Sequence, residues 1–278
     1  MIKLDSPYLE MGFYFSSLSG DEALANAFRV LIRLGATCEG KVGILYGQQI
    51  RHQMFSGVND EPLSSRKVRN AADVEILFAN EDFRVMQLAM RTPPNWPSHG
   101  NMILTQLSIA ELAKERDQHP IAIWLDGALL SRPPGPLSKK IQNLGAKTRE
   151  AFAAMVAIME PDYAAITVDW KLETPAELQD DHRTLAFRDF YLSEARFGTK
   201  ALTDLQEHSP QACHQQLQHG LMTLSSDWLA PEGRGLPREP ATELSRYVGQ
   251  VIVGHTNAEY WKRGDIAAEG AEGVVLSP

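Results

Sequence analysis

Two short runs, Ala122-Ile-Trp-Leu-Asp126 and Ala165-Ile-Thr-Val-Asp169, share one cadence and are separated by a single long amphipathic segment. Each run is apolar, β-prone and closed by an aspartate. The segment between them carries Ile141, Leu144, Thr148, Phe152, Met155, Val156 and Met159 at helical spacing and ends at Pro161. Strand, helix and strand in that order make a βαβ unit. The expectation is two parallel neighbouring strands joined by a right-handed crossover, with the helix over about residues 137–159. Five matching positions are too few to argue duplication.

Around that unit the chain alternates strand-like and helix-like segments. Tyr8–Phe15 is aromatic and extended. Ser19 with Glu22 fits a capping box, and Leu24, Ala27, Phe28, Leu31 and Leu34 follow on one helical face until Gly35. Val42–Tyr46 suits a strand, and His52–Pro62 a loop. Ser64 or Ser65 is expected to cap a second helix bearing Val68, Ala71, Val74, Leu77 and Phe78. Phe83–Met90 alternates like a strand covered on both faces. Thr92-Pro-Pro-Asn-Trp-Pro is a stiff loop. Asn101–Ile109 is read as strand, followed by a short helix near Ala110–Arg116. Further strands are expected at His119–Leu125, Tyr163–Trp170, Asp189–Ser193, Gly220–Ser226 and Val251–Val253, with helices at Thr199–Glu207 and Pro240–Tyr247. The fold class is therefore α+β or α/β: one domain over residues 1–256, a mixed central sheet flanked by helices, then a polar tail over 257–278. Phe28, Leu31, Ile123, Leu125, Phe152, Val156, Ile166 and Val168 are the expected core.

Composition sets the class of partner. Apolar residues make up 44% and charged residues 22%, as in ordinary globular proteins. No apolar stretch approaches the ~20 residues of a membrane span. Asp5 and Pro7 stand where a secretory signal would need an apolar core. Cys38 and Cys213 make no disulfide framework. A cytoplasmic protein with reduced thiols is expected. Lys and Arg number 27 against 35 Asp and Glu, a net charge of −8. That balance disfavours phosphate-neutralising contact with nucleic acid. The excess is local: Glu160, Asp162, Asp169, Glu173, Glu177, Asp180 and Asp181 face Lys171 alone, whereas residues 132–149 are basic. Opposite-sign neighbours can be merely solvated faces, or an acidic surface that steers a basic partner.

Four kinds of chemistry bear on the residues of this chain. Asp126 and Asp169, at the carboxyl ends of adjacent strands, could ligate a divalent metal or divide acid and base roles; aspartate is also common in strand-exit turns. His208, Cys213, His214 and His219 include zinc-type ligands, but their spacing matches no zinc module, and Gln215, Gln216 and Gln218 suggest a polar surface helix. No nucleophile elbow, phosphate loop or dinucleotide fingerprint occurs. Trp96, Trp228 and Trp261 lie in turn-like contexts, where tryptophan can anchor an interface or pack on a core edge.

The second half, about residues 160–255, has a further cadence. Pro161-Asp-Tyr-Ala-Ala-Ile leads to Trp170 and Thr174-Pro-Ala-Glu-Leu178. Phe190-Tyr-Leu-Ser193, Gly198, Gly220-Leu-Met-Thr-Leu-Ser225 and Trp228-Leu-Ala-Pro231 follow. This resembles the immunity proteins of bacterial polymorphic-toxin systems. The resemblance implies a cytosolic α+β protein without catalytic residues, which neutralises a toxin by direct contact. It transfers no site residue. On this reading the chain is a stoichiometric binding protein rather than an enzyme and needs no cofactor. Its partner is a protein, possibly a basic toxin domain, not nucleic acid or a membrane. Asp162, Trp170, Glu173, Glu177, Asp180, Asp181 and Trp228 form its expected binding surface. The alternative is a divalent-metal-dependent enzyme, acting on a small or phosphorylated substrate through Asp126 and Asp169.

Overall fold

The computed structural model describes residues 8–15, 18, 20–38, 40–46, 64–80, 83–94, 96, 100–106, 121–126, 139–168, 189–208 and 213–224. In chain order the elements are β1 (Tyr8–Tyr14), α1 (Gly20–Arg33), β2 (Gly40–Tyr46), β3 (Ser64–Val68), α2 (Ala71–Phe78), β4 (Phe83–Arg91), β5 (Asn101–Gln106) and β6 (Ile121–Asp126). Then come α3 (Lys139–Met159), β7 (Tyr163–Val168), β8 (Asp189–Ser193), α4 (Glu194–His208), β9 (Cys213–Leu217) and β10 (Gly220–Leu224). The ten strands form one sheet in the order β3-β2-β4-β5-β6-β1-β7-β8-β10-β9. Every pairing between them is antiparallel. The class is thus α+β, and the expected mixture of strand directions is not found among these pairs.

The expected parallel neighbours are separated by the chain's first strand. β1 pairs with β6 on one side and β7 on the other, so that Met11 lies between Ile123 and Ile166. β6 and β7 do run in the same direction, joined through α3. The five-residue likeness gave their direction, but nothing local in either run encodes a third strand inserted between them.

Strand alternation sorts the side chains into two layers. On one face Leu9, Met11, Phe13, Ile121, Ile123, Leu125, Leu104, Leu88, Val42 and Ile166 pack with Leu24, Phe28 and Leu31 of α1 and Phe152, Met155 and Val156 of α3. Phe13 and Phe152 stack tilted, with centroids 5.9 Å apart. A bulge in the β2–β4 pairing returns Val85 to the same side as Ile44, and both are buried. Of the expected core, seven residues are buried; the side chain of Val168 lies outside the described set. No described helix is long and apolar enough to cross a membrane.

Helix ends follow their local chemistry. α1 stops in a Schellman motif: Ala36 N–H donates to Leu31 C=O and Gly35 N–H to Ile32 C=O. Gly35 holds φ 98°, and a Cβ there would press on the Pro94 ring. α2 starts later than the serines suggest. Asn70 caps it, accepting from Asp73 N–H, while Ser64–Val68 is an edge strand against β2. The pairing with β2 overrides the serine cap signal, and only Val68 of that strand is buried. The stretch read as a polar helix is likewise β9, half of a two-residue hairpin closed by Leu217 and Gly220. Trp96, for which an interface anchor and a core-edge residue were both open, is buried in the main core. The expected elements at 52–62, 110–116, 240–247 and 251–253, and the tail, lie outside the described residues.

Candidate functional site: an acidic corner of the sheet

The residues that gather charge lie where α3 hands the chain to β7. α3 ends at Met159, and Glu160 then takes a left-handed turn at φ 47°. A carboxylate just past a helix C-terminus adds to the negative end of the helix dipole, so this position concentrates negative potential. Pro161 is buried and fixes the exit. Asp162 N–H donates to Tyr14 C=O at 2.9 Å, and Ser193 N–H donates to Asp162 C=O at 3.0 Å. These bonds lock the start of β7 between β1 and the end of β8.

Ser193 then caps α4, its Oγ accepting from Arg196 N–H at 3.2 Å, which places Glu194 in the first helical turn. Glu194 N–H donates to the carbonyl of His219 at 2.8 Å. The Tyr191 hydroxyl donates to that same carbonyl at 2.9 Å. The β9–β10 turn is therefore pinned twice through one backbone oxygen. The His219 ring turns the other way, its Nε2 lying 3.3 Å from Glu160 Oε1.

Glu160, Asp162 and Glu194 thus converge around Tyr191. Burial, then the charges of Glu160, Asp162 and Glu194, push the Tyr191 hydroxyl up to about 12. The ring itself is fully buried, so it senses the field without offering a surface. Glu160 and His219, by contrast, are about half exposed or more. What this corner can do chemically is attract and hold cationic groups.

Of the binding surface expected from sequence, Asp162 belongs to this corner. Trp170, Glu173, Glu177, Asp180, Asp181 and Trp228 lie outside the described residues. For the metal alternative, Asp126 is exposed at the end of β6 and Asp169 lies outside the described residues. Because β1 intervenes, the ends of β6 and β7 stand two strand spacings apart, about 10 Å, rather than side by side. Among the described residues no group of three or more His, Cys, Asp and Glu could hold a metal ion. The histidines have other work: His214 Nδ1 hydrogen-bonds Thr223 Oγ1 across the hairpin at 3.1 Å, and His219 meets Glu160. The side chains of His208 and Cys213 lie outside the described set. Cys38 is buried.

Glu160 belongs to the acidic run visible in the sequence, whereas Glu194, Tyr191 and the turn carbonyl of His219 join it only in the fold. The one usable signal was Ser193-Glu194 as a helix start directly after a strand.

No protein-family model matches the chain, and no curated protein matches it. Among solved structures, the chain is similar to the Pseudomonas aeruginosa T6SS protein PA0821, at 13% identity and a TM-score of 0.42, over 88% of this chain and 74% of that one.

Proposed function

We infer that this chain is a stoichiometric binding protein of the immunity class, which neutralises a bacterial toxin by direct contact with a basic surface. The observation that carries the reading is the convergence of Glu160, Asp162 and Glu194 at one corner of the sheet, beside an exposed histidine. Three support it further: the net charge of −8, the acidic run at 160–181, and the resemblance of the second half to immunity proteins. A concentrated negative field raises the encounter rate with a cationic surface and makes it salt-dependent. Screening beyond ~8 Å at physiological salt leaves lasting affinity to buried anchors, a role for Trp170 and Trp228.

The test begins with the toxin domain encoded beside this chain, or the protein recovered with it from its native cells. Titration calorimetry should give one-to-one binding. In stopped-flow association, Glu160→Gln with Glu194→Gln should slow the on-rate several-fold and flatten its salt slope. Neutralising Glu173, Glu177, Asp180 and Asp181 together should do the same. An on-rate and salt slope unchanged in both variants would remove the acidic surface from binding.

A further inference from the structure

Far from the acidic corner, three cations share one face of the sheet. β2 and β3 pair with Lys41 directly opposite Lys67. Like charges in opposed positions repel and weaken the pairing. Both side chains are exposed. Strand alternation puts them on the face away from α1 and α3, because their neighbours Val42 and Val68 point into the core. Arg91, exposed on β4, lies on that same face: it pairs with Asn101, while Met90 and Met102 beside them fill the core. Among the described residues, none of these three cationic side chains has an ion pair or a hydrogen bond.

Guarding a sheet edge accounts for Lys67 alone. A lysine on an outer strand discourages an added strand. β2, however, is paired on both sides, with β3 and β4, and β4 is paired with β2 and β5. Lys41 and Arg91 therefore guard no edge. Nor does the acidic corner neutralise them. In the strand order β2 and β7 stand five spacings apart, about 24 Å along the sheet. Exposed charges are screened beyond ~8 Å at physiological salt.

The spacing says what fits. Opposed residues on antiparallel strands hold their Cβ atoms about 5 Å apart. Residues one turn apart on a helix have nearly the same separation, about 5–6 Å. We propose that this face binds an acidic helix of a partner protein, with two carboxylates one turn apart over Lys41 and Lys67 and a third on the Arg91 guanidinium. Each carboxylate replaces a repulsion with charge-assisted hydrogen bonds, bidentate at Arg91. A nucleic-acid backbone suits the face less well, since three cations supply about three phosphate contacts where duplex binders make about 6–10. The inference goes beyond the toxin-binding reading and does not rest on it. The face and the sign of its charge both differ from the acidic corner's, so either binding can fail while the other stands.

The probe is a fluorescein-labelled peptide of four Glu-Ala-Ala-Ala repeats, titrated by anisotropy against the full chain at low salt. One control peptide carries glutamine for every glutamate. A second keeps the composition but sets the glutamates two residues apart, which puts neighbours on different sides of the helix. The first peptide should bind, and both controls should bind about tenfold more weakly or not at all. Lys41→Gln with Lys67→Gln should weaken the glutamate peptide at least about tenfold, and Arg91→Gln several-fold. Arg33→Gln, exposed at the end of α1 on the other side of the sheet, should leave it unchanged. Lys67→Glu adds an independent readout. It makes the opposed pair attractive, so the thermal unfolding midpoint should rise while peptide binding falls. A higher midpoint with full peptide binding would overturn the proposal. So would absence of binding, equal binding of the control peptides, or binding that survives loss of both lysines. A single-stranded oligonucleotide held more tightly than the peptide through the same lysines would assign the face to nucleic acid and overturn the acidic helix. Light scattering that shows a wild-type dimer, and a monomer for Lys41→Gln with Lys67→Gln, would assign the face to a second copy and overturn it equally.

Discussion

Arg149, on α3, reaches Asp189 on β8 with Nε 3.1 Å from Oδ2, and the Asp189 side chain has no exposed surface at all. A fully buried carboxylate needs such a partner, since removing one member of a buried pair leaves a charge that water cannot reach. Arg149→Met should cost about 3 kcal/mol in denaturant unfolding. Arg149→Met with Asp189→Leu should recover much of that loss. If the single variant were as stable as wild type, the pair would not be holding α3 on β8.

Alkaline stability should turn on Tyr191. Its hydroxyl ionises near 12 in the fold against 10.0 ordinarily, because burial and then Glu160, Asp162 and Glu194 disfavour the phenolate. A folded pKa raised in this way contributes stability that is complete below pH 10 and fades as pH climbs toward 12. Unfolding followed across that window should show a fall that Tyr191→Phe lacks. Tyr191→Phe should itself cost about 1 kcal/mol at neutral pH, for the lost bond to the His219 carbonyl. An absorbance titration in which Tyr191 ionises at the ordinary 10.0 would contradict the arrangement.

Gly220 is required by space, not by backbone angle. A Cβ there would fall on the Leu192 carbonyl and on the Tyr191 ring. Gly220→Ala should therefore loosen β10 from β8 and unpin the turn that holds His219. Amide exchange in 213–224 should rise sharply while that of β1 and β6 stays slow. Uniform exchange across both regions would show that the hairpin is not locally held by this contact.

Leu31 is fully buried on the inner face of α1. Leu31→Ala should lower stability by about 2–5 kcal/mol, the range for a cavity that the core fills only in part. Ile76 is the control: it is 68% exposed on α2, and Ile76→Ala should change stability little.

Elements with a strong internal period were legible. The stripe through Thr148, Phe152, Met155 and Val156 gave α3, and Phe190 through Ser193 gave β8. What failed was decided by distant partners. Ser64 and Ser65 look like caps, but β2 recruits them into an edge strand, and Asn70 takes the cap. Cys213–Leu217 has a polar composition that fits a helix surface as well as a sheet edge; its hairpin with β10 settles it. Trp96 was open between interface anchor and core packing, and its burial decides for the core. The acidic corner was half legible. Glu160 and Asp162 stood in the counted run, while Glu194 and Tyr191 join them only through the β8–β10 pairing.

β1, which leads the described strands in chain order, takes both of its sheet partners from far downstream. β1 has no partner until Ile121–Asp126 exists, and its other side waits for Tyr163–Val168. During synthesis β1, apolar along the face of Leu9, Met11 and Phe13, therefore waits for its first strand partner until the chain up to Ile121–Asp126 has emerged. Pairings this distant in sequence slow folding, because chain closure is opposed by entropy before any contact rewards it. β1 is then a strand in need of shelter on the ribosome, and a chaperone that engages nascent chains early should raise the yield more than one that acts on the released protein.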